Sequence, residues 1–210
     1  MIDEAQANDR PEDETEDDYA LRDRVVAAAI EASARAIPDE IRAFVELPHD
    51  RDPRGLIAAV RGAEVNAKIR CGGVTPDFIP SSKDVARFLH ACAASRTPFK
   101  ATAGLHHPMR AEQNLTYDDN PPRAVMHGFL NVLLATASAM HNDSLGVDDL
   151  VAILEATDTA AFGFGETGVV AMGNELSNEQ LAACREQLFI SIGSCSFDEP
   201  LGDLRTLGLL

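Results

Sequence analysis

The chain has no tryptophan and only two tyrosines, and aromatic residues make up just 5% of its 210 positions. A core built from it must lean on Ala, Val, Leu and Ile. Lysine is nearly missing as well: Lys68, Lys83 and Lys100 are the only three, and every other cationic side chain is arginine. Positive charge as a whole is scarce. With 34 acidic against 18 basic residues, the formal net charge is -16 and the sequence pI about 4.6. Such a surface repels nucleic acid and anionic membrane, so neither is expected as a partner. No apolar run reaches membrane-spanning length, and no secretory leader is expected. The four cysteines, Cys71, Cys92, Cys184 and Cys195, form no CxxC pair and no zinc-like spacing. They are expected to act as small apolar residues in a reduced, cytoplasmic protein. No dinucleotide or P-loop glycine fingerprint occurs, so no organic cofactor is implied.

What the chain does have is alternation. Residues 1–18 are crowded with Asp and Glu, lack apolar periodicity, and read as a disordered acidic tail. The remainder, 19–210, is long enough for one substantial core and is expected to form a single domain. Leu21, Val25, Ala28 and Ala32 fall at helical spacing over residues 19–36, and predict a helix there. Short strands are expected at 41–47, 65–71, 99–103 and 188–195. Helices are expected at 53–61, 81–95, 123–141, 146–156, 178–187 and 198–209, the second capped by Ser81 or Ser82. Residues 106–122 read as a long polar loop, and 162–172 as a small hairpin around a Gly-Glu-Thr-Gly turn. Strands alternating with helices over short connections imply an α/β fold with a parallel sheet. Polar groups gather at the strand ends, which suits a (β/α) barrel, whose C-terminal rim carries the active site. Too few strands are visible for a full barrel of roughly 250 residues, so a partial or shortened barrel with a hairpin insertion is expected.

The chemistry concentrates in residues 98–110, P-F-K-A-T-A-G-L-H-H-P-M-R. Alternation puts Phe99, Ala101 and Ala103 on one strand face, and Lys100 and Thr102 on the other. A lysine within an apolar strand is costly unless it is paired or used. Lys68 and Arg70 share a face of the preceding strand. If the two strands are neighbours, Lys68 and Lys100 point into one space, and each depresses the other's proton affinity. A lysine made nucleophilic in this way attacks a carbonyl to form an imine. The structural alternative is a buried network of Lys68, Arg70 and Glu46. His106 or His107 is a candidate proton shuttle beside Lys100. The two could instead join Glu46 or His49 in a metal-assisted hydrolase or isomerase. Arg70, Arg110 and the Gly193–Ser194 strand end, leading into a helix N-terminus, are candidate anion holders. Glu46 is grouped with that substrate-binding set. Cys195 is a candidate nucleophile, and Ser196 a candidate helix cap.

The segments K-A-T-A-G at 100–104 and K-I-R-C-G-G at 68–73 resemble the two lysine strands of deoxyribose-phosphate aldolases and related class I aldolases. That resemblance implies Lys100 as the imine lysine and Lys68 as the neighbour that tunes it; in the family the two strands follow in the opposite order. Lys68–Gly73, Phe99–Pro108 and Gly193–Pro200 are also similar to K-I-R-x-G-G, F-K-A-T-A-G-L-H-H-P and G-S-C-S-F-x-E-P segments of a group of uncharacterised bacterial proteins. This second likeness runs from about Phe44 to the end and implies fold and site location, not a reaction. The expectation is therefore an enzyme acting on a small anionic carbonyl metabolite by aldolase- or lyase-type chemistry, without a cofactor, in a chain that could be a homo-oligomer. A non-catalytic, metabolite-binding or dimerising partial barrel is the alternative outside enzymology.

Overall fold

The computed structural model describes residues 16–38, 40–194 and 198–210. The expected tail therefore lies outside the described residues, except that 16–18 open the first helix. Cys195 and Ser196 also lie outside them. The elements, in order, are α1 (Glu16–Ala34), β1 (Phe44–Glu46), α2 (Arg54–Gly62), β2 (Asn66–Arg70), α3 (Ser82–Ser95), β3 (Phe99–Thr102), β4 (Ala111–Asn114), β5 (Arg123–Met126), α4 (Phe129–His141), α5 (Val147–Glu155), β6 (Phe162–Gly165), β7 (Gly168–Ala171), β8 (Asn174–Ser177), α6 (Asn178–Gln187), β9 (Phe189–Gly193) and α7 (Asp198–Thr206).

The architecture is mixed α/β around a four-stranded parallel sheet in the order β1-β2-β3-β9. Period-2 alternation gives this sheet two different faces. Ala67, Ile69, Phe99, Ala101 and Phe189 are buried on one. There Phe88 of α3 meets Phe99 edge-on, with ring centroids 5.3 Å apart, and Phe99 stacks on Phe189 at 5.1 Å. Helices α2 and α6 pack against the same sheet at β2 and β9. The other face carries Glu46, Lys68, Arg70 and Lys100, all partly exposed. Among the described residues the sheet does not close into a barrel.

Local chemistry sets the boundaries. The Ser81 hydroxyl accepts the Asp84 N–H at 3.1 Å and starts α3, as its sequence implies. Ser177 and Gln180 form a reciprocal capping box that starts α6. Three expectations are corrected. Residues 106–122 are not one loop, because Ala111–Asn114 pairs antiparallel with Arg123–Met126. For the same reason the apolar helix begins at Phe129 rather than at 123. Gly128 stands at its N-cap, in a place where a Cβ would sit 2.4 Å from the Pro108 carbonyl oxygen. The hairpin at 162–172 is present but gains a third strand, β8. Helix α1 packs on α2 with Asp23, Ala27, Ile30 and Ala34 as its covered positions, while Leu21, Val25, Ala28 and Ala32 are exposed. No described helix is long and apolar enough to cross a membrane.

Candidate functional site

The parallel register brings the two lysines together. Lys68 on β2 and Lys100 on β3 are direct partners, and Glu46 on β1 is the partner of Lys68. Because parallel strands in register point matched side chains to the same face, the three form one row across the sheet. The row is not a bare pair of ammonium groups. Lys68 Nζ lies 2.6 Å from Glu46 Oε2, and Arg70 Nε lies 3.3 Å from Glu46 Oε1. The Lys68 hydrogen bond, followed by that of Arg70, holds the Glu46 carboxyl below its usual range. Lys100 Nζ sits over the Phe44 ring, 4.3 Å from its centroid, in a cation–π contact. Lys68, Arg70 and Glu46 form a network that is partly exposed rather than buried, and Lys100 stands outside it.

One pleat further along, the C-terminal ends of β2, β3 and β9 open into a cavity of about 1040 Å³. Five expected site residues line it: Arg70, His106, His107, Gly193 and Ser194. Backbone geometry shapes the floor. Ala103 and Gly104 both have positive φ, 61° and 71°, turning the chain sharply out of β3. Gly72 and Gly104 approach so closely that a Cβ on Gly72 would lie 2.8 Å from Gly104 Cα. The loop that follows is strapped to α4. His107 and Pro108 carbonyls accept the Phe129 and Leu130 N–H groups at 3.0 Å, and Asn131 Oδ1 accepts the Arg110 N–H at 3.0 Å. Asn131 Nδ2 donates to the Ile153 and Ala156 carbonyls, tying α5 to the same loop.

The two histidines take different partners. His106 Nδ1 is 2.9 Å from Ser194 Oγ and 3.9 Å from Glu199 Oε2. Burial lowers its pKa, Glu199 opposes that, and the charge of His107 adds to it. Hydroxyl and carboxylate both lie nearest the same ring nitrogen, whereas in a serine-hydrolase relay they meet opposite nitrogens. His107 Nδ1 is 2.6 Å from Asp203 Oδ2 on α7. That contact leaves Nε2 as the nitrogen for a bound molecule. Glu46, His106 and His107 are thus spent on separate partners. Among the described residues no group of three or more His, Cys, Asp or Glu is placed to hold a metal ion.

Arg110 lies elsewhere. With His107, which lines both cavities, it lines a second recess of about 520 Å³ behind the histidine loop, with Nη1 3.4 Å from His127 Nδ1. Burial lowers the Arg110 pKa, partly offset by Glu155. His127, with Nε2 2.8 Å from the Pro80 carbonyl, is pushed down to about 4 by burial, so the neutral ring donates from Nε2 and accepts at Nδ1. Burial also raises the described thiols, Cys71 to about 12, Cys184 to about 11 and Cys92 well above its ordinary value. They behave as apolar groups.

The sequence reading missed the far wall of the cavity, which is made by β4, β5 and the turn between them. Gln113, Asn114, Tyr117 and Arg123 line it, with Arg123 paired to Glu112 at 3.2 Å. Glu199 on α7 accepts a hydrogen bond from the Tyr117 hydroxyl at 3.0 Å and lines the cavity too. One signal was available: Gly128 is a poor helix-interior residue and a natural start, which would have freed Arg123–Met126 to be a strand. Set beside known proteins, the chain finds no matching family model, no matching curated protein and no matching solved structure.

Proposed function

We propose that the protein binds a small anionic, carbonyl-bearing metabolite at the C-terminal rim of its parallel sheet and acts on it through an imine at Lys100. The observation that carries this reading is the register match of Lys68 with Lys100 on adjacent parallel strands, next to the cavity. The lysine row lies two residues below Arg70 and Thr102, a rise of about 6.6 Å that an extended lysine side chain covers. Leaving the Phe44 ring for the strand ends would bring the Lys100 amine to the cavity floor. In the proposed step its nitrogen bonds to the carbonyl carbon and water leaves. The iminium then accepts the electron pair of the adjacent C–C or C–H bond as that bond breaks. Arg70 with the Gly193–Ser194 strand end would hold the anion, and His106 or His107 would carry the proton. Lys68, its charge met by Glu46, is the neighbouring cation. The scheme calls for no cofactor, and the buried thiols suit a reducing compartment such as the cytoplasm.

The finer fold assignment belongs to the same proposal. We read the sheet as part of a (β/α) barrel. The strand order is sequential without reversal; crossovers of the usual right hand would then put the helices on one side, as in barrels and unlike doubly wound sheets. Four strands are half of the usual eight. The polar, half-open face would correspond to a barrel interior. That open face favours a second reading, a partial barrel that binds its metabolite without converting it.

Borohydride trapping of the full chain with small aldehydes, 2-keto acids and sugar phosphates tests both. The expected result is a mass adduct that maps to Lys100 and is absent from Lys100→Ala. If no carbonyl compound gives an adduct, yet one raises the melting temperature in a manner lost in Arg70→Ala, the non-catalytic reading stands. Neither adduct nor thermal shift across the panel would overturn both.

A further inference from the structure

Helix α1 is apolar on two opposite sides, and among the described residues only one of them is covered. The side against α2 is Ala27, Ile30 and Ala34, with Ile30 only 5% exposed. On the other side Leu21 is 60% and Val25 62% exposed, and Ala28 and Ala32 are exposed with them. Helices apolar all round are ordinarily enclosed on both sides. The exposed stripe has the spacing four, three, four, which is that of the core positions of two heptads. Among the described residues of one copy, nothing covers it.

The residues of the stripe specify their own partner. In an antiparallel pairing of two α1 helices, Leu21 of one copy falls opposite Ala32 of the other, and Val25 opposite Ala28. Every layer then sets a large side chain against a small one and fills evenly. A parallel pairing would instead stack Ala28 on Ala28 and Ala32 on Ala32, leaving those layers underpacked. Charge agrees with the antiparallel choice. Arg24 and Glu31 flank the stripe on the same edge, so the antiparallel arrangement sets each Arg24 against Glu31 of the second copy, twice by symmetry. Within one copy Glu31 has only an exposed contact to Arg35 at 3.8 Å, and among the described residues Arg24 has no carboxylate at ion-pair distance. The preceding residues 1–15 are a poor match for it, since six of them are Asp or Glu and their four apolar residues, Met1, Ile2, Ala5 and Ala7, have no helical stripe.

We propose that α1 is a self-association surface through which two copies of this chain pair as an antiparallel helix dimer. The surface is distinct from the cavity and from the open face of the sheet. A helix of 19 residues is about 28 Å long, which places the contact at the small end of specific interfaces. The dimer is therefore weak and concentration-dependent.

Sedimentation velocity on the full chain, from low micromolar to near-millimolar concentration, tests the proposal. Wild type is expected to shift from monomer to dimer across that range. Val25→Glu, at an exposed position that leaves folding intact by circular dichroism, should remain monomeric throughout. Arg24→Glu should weaken dimerisation roughly fivefold to tenfold, because both symmetry-related pairs turn repulsive. Adding Glu31→Arg to it should restore the wild-type constant within about twofold. A wild type that stays monomeric near millimolar concentration would overturn the proposal. So would a dimer indifferent to Val25→Glu, which would place the contact elsewhere. A monomer that dimerises only after deletion of residues 1–15 would show that segment to be the occupant, and would overturn it as well.

Discussion

His127 should make the protein acid-labile well above the range where carboxylates titrate. Its ring is 1% exposed, wedged between the Pro80 carbonyl and the Arg110 guanidinium, and its pKa is pushed down to about 4 from an ordinary 6.5. Protonation would set a second cation against Arg110 in a buried space. The unfolded chain takes up this proton near pH 6.5, whereas the native chain does so only near 4, so falling pH favours the unfolded state across that window. The stability that the neutral ring confers is complete above pH 6.5, declines as pH falls, and is gone below 4. At about 1.4 kcal/mol per pH unit, the full span is worth about 3 kcal/mol, of which about 2 to 2.5 is lost between pH 7 and 4.5. Urea denaturation in steps across that range, on wild type and on His127→Gln, isolates the effect. Glutamine keeps a donor toward Pro80 but cannot titrate. The variant should be less stable at pH 7 and its stability should fall less steeply, converging on wild type by about 2 kcal/mol at pH 4.5. His106, whose pKa is also lowered, contributes with the same sign in both proteins and cancels in the difference. Parallel curves for the two proteins would refute the reasoning, because they would mean that His127 takes up its proton equally in both states.

Two backbone-centred substitutions test the cavity floor and its strap. Gly104→Ala combines a left-handed residue at φ 71° with a Cβ placed 2.9 Å from both the Cys71 carbonyl oxygen and Gly72 Cα. It should cost about 2 to 4 kcal/mol by denaturant unfolding, and a loss under 1 would mean the strand ends part easily. Asn131→Ala leaves the Arg110 N–H and the Ile153 and Ala156 carbonyls without their side-chain partner in a fully buried place. The expected cost is about 2 to 4 kcal/mol, with the histidine loop becoming the first segment to exchange amide hydrogens. Unchanged exchange there would show that the loop is held by other contacts.

The parallel sheet was readable because its signals are local. Alternating apolar residues, Ser81 and Ser177 caps and prolines at helix starts each act within a few residues, and their elements fell within a few positions of the expected ones. The row of Lys68 and Lys100 was readable too, since two strands with lysines at matching positions need only be neighbours to align. The failures share a cause. Val125 and Met126 continue the apolar pattern of α4, and the pairing of Arg123–Met126 with Ala111–Asn114, together with the close approach of Pro108 to Gly128, ends the helix there. On α1 both sides of the helix are apolar, and periodicity does not say which one α2 will take. The separation of Arg110 from the other site residues also depended on a tertiary contact, the buried His127 and Asn131. Sequence adjacency to the histidines had suggested otherwise.

The thiols of Cys71, Cys92 and Cys184 lie at the end of the second strand, in the third helix and in the sixth, and each is wholly shielded from solvent. A thiol so placed reacts only when its own part of the molecule opens. Among the described residues the chain thus carries three built-in timers on three different segments. Mapping which cysteine an alkylating reagent reaches first, and how fast, would order the opening of sheet, inner helix and outer helix without a single engineered residue.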